Sequence, residues 1–150
     1  MAAWLVILFL AACDDRLVSL REWERLTHIE RAFFINSFEM DLLPGVLSDL
    51  DPAQPKPSLS ELASVLLRLV DNGWMEMRRY VWRVAGDGRE GLAHGDPVPR
   101  VQLSVLLADP ASWEYPDDPS WIGALTVVET EAGRAISRMS ADEIAARGNV

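Results

Sequence analysis

The spacing of apolar residues changes once between positions 58 and 84, and that change organises the chain. Leu62, Val65, Leu66, Leu69 and Val70 recur at steps of three and four, the period of one buried helix face. Ser60, Glu61, Ser64, Arg68 and Asp71 then fall on the wet face. Ser58-Leu-Ser-Glu61 ahead of the run is a capping box: the serine accepts from the Glu61 amide and the glutamate reaches back. Asn72-Gly73 supplies a left-handed stop. From Trp74 to Val84 the period becomes two, with a slip. Met75 and Met77 share one parity and Tyr80, Trp82 and Val84 the other, so a strand with a bulge near Arg78-Arg79 is predicted.

Upstream, Ala2 to Ala12 is apolar all round and predicts a buried helix, a buried strand being the alternative. Ser19-x-x-Glu22 is a second capping box. Leu20, Trp23, Leu26, Ile29, Phe33 and Phe34 continue from it at helical spacing and predict one long helix, with Arg21, Glu22, Glu24, Arg25, Glu30 and Arg31 outside. Pro44-Gly45 stops it, Val46 to Leu50 forms a short helix or turn, and Pro52, Pro55 and Pro57 make an extended spacer.

Downstream, Gly86 to Gly91 is a glycine-rich turn. Asp96-Pro-Val-Pro99 opens a short helix through Val101, Val105, Leu106 and Leu107 that ends at Asp109-Pro110. Pro110 to Ser120 reads as a proline-rich acidic loop, Trp121 to Val128 as a return strand, and Thr130 to Arg134 as the turn into a helix through Met139. Ser140-x-x-Glu143 is a third capping box, opening a last helix that Gly148 ends. The expectation is one mainly helical α+β domain over residues 1–150: N-terminal helices in 1–50, the helix-strand part in 58–138, a final helix in 140–148.

Leu66-x-x-Leu69-x-x-x-Gly73-Trp74-x-x-Met77-Arg78 resembles the end of the second helix of a helix-turn-helix entering its wing. Val127-Val128-Glu129-Thr130-Glu131-Ala132-Gly133-Arg134 resembles the end of the last wing strand. Together they are similar to the winged-helix superfamily, including the bacterial MarR-like and PadR-like regulators. The resemblance covers residues 58–138 and implies a winged-helix-like domain. Two departures stand out. Glu129 occupies a place where those regulators usually carry leucine, and the connection from Ala85 to Ser120 makes an elongated, helix-containing wing where theirs is short.

Charge redirects the functional expectation. The net charge is -9. Basic and acidic residues number 5 and 9 in residues 1–57, 6 and 6 in 58–100, and 3 and 8 in 101–150. A phosphate binder shows the reverse balance. Lys56 is the only lysine, against thirteen arginines, the bias of a GC-rich bacterial coding sequence. Cys13 is alone, so no intramolecular disulfide or cysteine-based zinc site forms, and a reducing cytoplasm is expected. Leu10-Ala-Ala-Cys13 resembles a lipoprotein cleavage box, which would anchor the chain to a membrane. The preceding residues lack the positive charge of a signal peptide, so the cytoplasmic reading is preferred.

No catalytic constellation, cofactor or metal site emerges. Gly86-x-Gly88-x-x-Gly91 matches the dinucleotide-loop pattern, yet Leu92 to Pro97 cannot be the helix that must follow. His28 and His94 lack neighbours at ligand spacing, and Asp14-Asp15 and Asp117-Asp118 read as solvated breaks. Trp4, Trp23, Trp74, Trp82 and Trp121 lie in apolar patterns and are expected to pack. Trp113, beside Tyr115 in the acidic loop, is expected to be exposed and to face a partner. The preferred expectation is a non-enzymatic protein-interaction module, of adaptor or immunity type, binding a basic protein partner through Trp113, Glu114, Tyr115, Asp117 and Asp118. The alternative is a DNA-binding transcriptional regulator using Ser60, Ser64, Arg68, Arg78, Arg79 and Arg83, which the charge balance disfavours.

Overall fold

A computed structural model describes residues 23–137. The expectations for Ala2 to Ala12, Cys13, the Ser19-Glu22 cap and the final helix over 140–148 lie outside the described residues.

The long helix expected through Phe34 is broken. Residues 23–25 are helical, Leu26 closes a turn onto the Trp23 carbonyl, and helix α1 (His28–Glu39) starts afresh. The cause is local. The Thr27 hydroxyl accepts from the Glu30 amide at 3.2 Å, and the Glu30 carboxylate accepts from the Thr27 amide at 2.7 Å. Two helix-end donors are thereby satisfied inside what looked like a continuous run. Met40, left-handed at φ 55°, ends α1. A 3-10 turn, Leu43–Gly45, leads into the short helix α2 (Val46–Asp49).

Helix α3 (Leu59–Asp71) starts where expected, with the Glu61 amide donating to the Ser58 hydroxyl at 3.1 Å. It ends in a Schellman arrangement: Trp74 N–H donates to the Leu69 carbonyl and Gly73 N–H to that of Val70, with Gly73 at φ +75°. Leu62, Leu66 and Leu69 are fully buried, each stabilising the fold by about 1.5–3 kcal/mol.

Strand β1 (Met75–Val84) carries the expected bulge, a register shift between Arg78 and Tyr80. It is the central strand of an antiparallel sheet ordered β2-β1-β3, with β2 at Glu90–Pro97 and β3 at Leu125–Glu129. Leu42 adds an isolated bridge to Thr126. The expected elongated, helix-containing connection from Ala85 to Ser120 is therefore corrected in one respect: it also holds the strand β2. The chain turns at once, through Ala85–Gly88 contacts, into a strand that its glycines and short apolar content hid. The expected helix follows as α4 (Arg100–Ala108). The return strand is shorter than expected, because Trp121 sits left-handed at φ 60° in a loop.

Helix α5 (Glu131–Ser137) is set by Thr130, whose hydroxyl accepts from the Gly133 amide at 3.1 Å and donates to the Gly73 carbonyl. A Cβ at Gly133 would stand 2.0 Å from the Trp74 carbonyl oxygen, so glycine is what lets the helix lie against the strand entry. Glu129 is half-buried, its carboxylate accepts from the Ser137 hydroxyl at 2.7 Å, and burial pushes its pKa up. That bond gives the half-buried carboxylate a donor.

One hydrophobic cluster joins α1, α3, α4, β1, β3 and α5. No helix among the described residues is long and apolar enough to cross a membrane.

Candidate functional site

The segment from Asp109 to Ala124 is tied down at several points. The Asp109 side chain accepts from the Ala111 amide, and a 3-10 turn, Pro110–Trp113, carries Trp113 back onto α4. There Trp113 is 4% exposed and its indole N–H donates to the Leu107 carbonyl at 2.9 Å. The expectation of an exposed, partner-facing Trp113 is overturned: the proline-rich composition concealed a turn that inserts its aromatic residue into the core.

Tyr115 is exposed, and its hydroxyl donates to the Asp41 carboxylate at 2.8 Å. Desolvation first, and then that bond to Asp41, push its pKa up to about 12. Asp118 turns toward Ser120, whose amide donates to it at 2.9 Å. The bonds from Ser120 hold its carboxyl below the usual range. Beyond the turn, Trp121 lies over Tyr80, ring centroids 6.3 Å apart, and the Gly123 carbonyl accepts from Arg79 at 2.7 Å.

Between this segment and the sheet lies an open cleft of about 480 Å³. Leu42, Pro44, Leu106 and Leu125 give it an apolar lining. Asp109, Glu114 and Asp117 contribute acid, against one cation among the described residues, Arg79. Of the interaction residues expected from the sequence, Glu114, Tyr115 and Asp117 line this cleft; Trp113 and Asp118 do not.

The residues expected to meet DNA do not form a free basic face. Ser64 donates its hydroxyl to the Ser60 carbonyl at 3.0 Å, while Ser60 itself is exposed. Arg68 lies 3.8 Å from Glu30. Arg78 makes two bonds to Glu76, at 2.7 and 3.1 Å, and one to the Gly95 carbonyl at 2.8 Å. Arg79 serves Gly123. Arg83, on the hairpin, is exposed. Asp71 on α3 is paired with Arg100 at 2.7 Å, and that bond holds its carboxyl below the usual range.

Two features escaped the sequence reading. Trp82 is 52% exposed, not packed as expected, and with Val84 and its cross-strand partner Leu92 forms an apolar face on the outer hairpin. At roughly 3.3 Å per residue, the ten residues of β1 reach about 33 Å and outrun the helices that cover its first half. His94, opposite Tyr80 at a ring separation of 5.2 Å, is half-buried; burial first, and then Arg78, push its pKa down. The second feature is a group of side chains around the α1–α2 turn: Asn36, Glu39, Asp41 and Asp49. Their spacing carries no helical or metal-ligand signature, so only the fold brings them together.

Compared with known proteins, the chain matches no family model, no curated protein and no solved structure.

Proposed function

We propose that this chain is a non-enzymatic protein-interaction module, of adaptor or immunity type, acting in the cytoplasm on a winged-helix-like scaffold. Its cleft receives a basic segment of a partner protein. The acidic cleft is the observation that carries the reading: Asp109, Glu114 and Asp117 line it together with Leu42, Pro44, Leu106 and Leu125, with Tyr115 exposed among them. A loop already pinned by Asp109, Trp113 and Tyr115 loses little entropy on docking. Acidic neighbours steer a basic partner and make its association rate salt-sensitive. The order helix, Leu42 bridge, short helix, α3 and long hairpin supports the winged-helix-like scaffold.

The DNA-binding alternative is weaker on the same observations. Arg78 and Arg79 are hydrogen-bonded within the protein and Arg68 lies beside Glu30, so each basic position is offset by an acidic or carbonyl neighbour rather than adding to a positive stripe.

An arginine-rich peptide titrated into the protein tests the reading. Binding should weaken at least tenfold in a Glu114→Lys, Asp117→Lys double variant. The same charge change placed on β2, Glu90→Lys with Asp96→Lys, should leave it within twofold. Equal weakening by both variants would reduce the effect to net charge and refute the cleft. Submicromolar binding of random duplex DNA at about 150 mM salt would favour the regulator instead.

A further inference from the structure

The outer edge of the sheet is open. Strand β2 ends it, and among the described residues no strand pairs with the far side of β2. Which of its backbone groups face outward follows from the bonds around it. In an antiparallel ladder, opposite residues alternate between pairs that exchange hydrogen bonds and pairs that do not. Ala85 N–H donates to the Arg89 carbonyl at 2.6 Å, so Ala85 and Arg89 are a bonded pair. The register then makes Arg83–Gly91 and Val81–Ala93 bonded pairs, and Val84–Glu90, Trp82–Leu92 and Tyr80–His94 the others. Tyr80 agrees, because its carbonyl accepts from Gly123 and its N–H donates to Ala124, both on the β3 side. The amides and carbonyls of Glu90, Leu92 and His94 therefore point away from β1. Sheet edges are commonly blunted by lysine, proline or a bulge. Glu90 to Gly95 holds no lysine or proline, and the register shift lies beyond His94, at the other end of the strand.

We propose that this edge pairs with a second copy of the chain. The two β2 strands lie antiparallel about a two-fold axis at Leu92, giving one sheet ordered β3-β1-β2-β2-β1-β3.

The side chains on the edge complement themselves in that register. Leu92 meets the partner's Leu92, and Glu90 meets the partner's His94, an anionic acceptor opposite an imidazole donor. All three outward-facing residues then exchange main-chain bonds with the partner subunit. Sliding the strands until Glu90 meets the partner's Glu90 would oppose two carboxylates instead. The exposed side chains gain as well. Glu90, Leu92 and His94 share a face with Trp82, whose indole N–H donates to the Glu90 carboxylate at 3.4 Å. Trp82 and Leu92, 52% and 41% exposed, become half of a cross-strand apolar row that the partner completes. The net charge of -9 does not oppose the contact, because residues 78–97 carry four arginines against three acidic residues. A two-fold axis makes the contact closed, so it yields dimers and not fibres. An edge-to-edge contact buries little surface, and the dimer is accordingly reversible and concentration-dependent. None of the residues lining the acidic cleft belongs to β2, so failure of this pairing leaves the cleft untouched.

Sedimentation equilibrium from micromolar to millimolar concentration is the test, with amide hydrogen exchange read residue by residue across the same range. Wild type should pass from monomer to dimer. The amides of Leu92 and His94 should exchange at least threefold slower at the upper end, while those of Gly91 and Ala93, bonded to β1, are protected throughout. Leu92→Pro removes an outward donor and no bond to β1, so it should fold and stay monomeric. Leu92→Ala, which loses only the side chain, should still dimerise, more weakly. His94→Glu, which opposes two carboxylates, should weaken the dimer at least tenfold, and adding Glu90→Arg should restore it. Should Leu92→Pro not fold, the charge exchange carries the test by itself. A monomer at millimolar concentration, a dimer that survives Leu92→Pro, or no rescue by Glu90→Arg overturns the pairing. Loss of such a surviving dimer in Trp82→Ser would identify two hairpins stacked by their apolar faces instead. Protection of the Leu92 and His94 amides in a sample that sediments as monomer also overturns it, since another part of the chain would then cover the edge.

Discussion

Trp113→Ala tests the buried turn most directly. The indole is 4% exposed and packs in the core cluster with Leu103 and Leu107. Truncating a buried tryptophan to alanine costs about 3–5 kcal/mol through lost burial and the cavity left behind. The Leu107 carbonyl also loses its indole donor, and leaving a buried acceptor unpaired costs about 1–3 kcal/mol. The two terms overlap, because a cavity admits water to the carbonyl, so a total of about 4 kcal/mol is expected. Domains of this kind are stable by only about 5–15 kcal/mol, which leaves the variant close to unfolding. Trp113→Phe separates the contributions: it keeps most of the bulk, loses the donor, and should cost about 1–2 kcal/mol. Urea unfolding followed by circular dichroism is the assay, with slopes compared so that a change in midpoint reads as a change in stability. If Trp113→Ala shifts stability by less than about 1 kcal/mol, the indole is not a core residue and the turn is misplaced.

Trp82 is the counterpart: because it is 52% exposed, Trp82→Ser should cost no more than about 1 kcal/mol in the same assay, and a larger loss would mean the hairpin face is covered. Gly133→Ala should lower stability by about 1–3 kcal/mol, because its Cβ would meet the Trp74 carbonyl; a wild-type melting temperature would contradict that contact. Ser58→Ala should cost about 1 kcal/mol by denaturant midpoint and Glu61→Ala less, since only the serine half of that capping box is formed.

What was legible in the sequence is what neighbours along the chain decide. The start and stop of α3 follow from Ser58 and Gly73, because capping bonds span only a few residues. The bulge in β1 follows from the parity slip between Met77 and Tyr80, and the helix before Asp109 from its proline entry and apolar steps. Even the break in the first long helix was written as Thr27-x-x-Glu30, a signal outweighed by the apolar run around it. Of the residues that line the cleft, Glu114, Tyr115 and Asp117 were named from composition alone.

The tertiary structure decided which aromatic residues are wet. Trp82 has the parity of the core face but lies beyond the reach of the helices; Trp113 has the composition of a loop but is turned inward by Asp109 and Ser112. Parity and composition describe a residue's direction and its neighbours in sequence, whereas exposure depends on what else arrives there in space. The acidic group at the α1–α2 turn is of the same kind. Asn36, Asp41 and Asp49 share no period, and Tyr115 joins Asp41 from 74 residues away. The raised pKa values of Asp49 and Tyr115 come first from burial, a property of the folded chain alone.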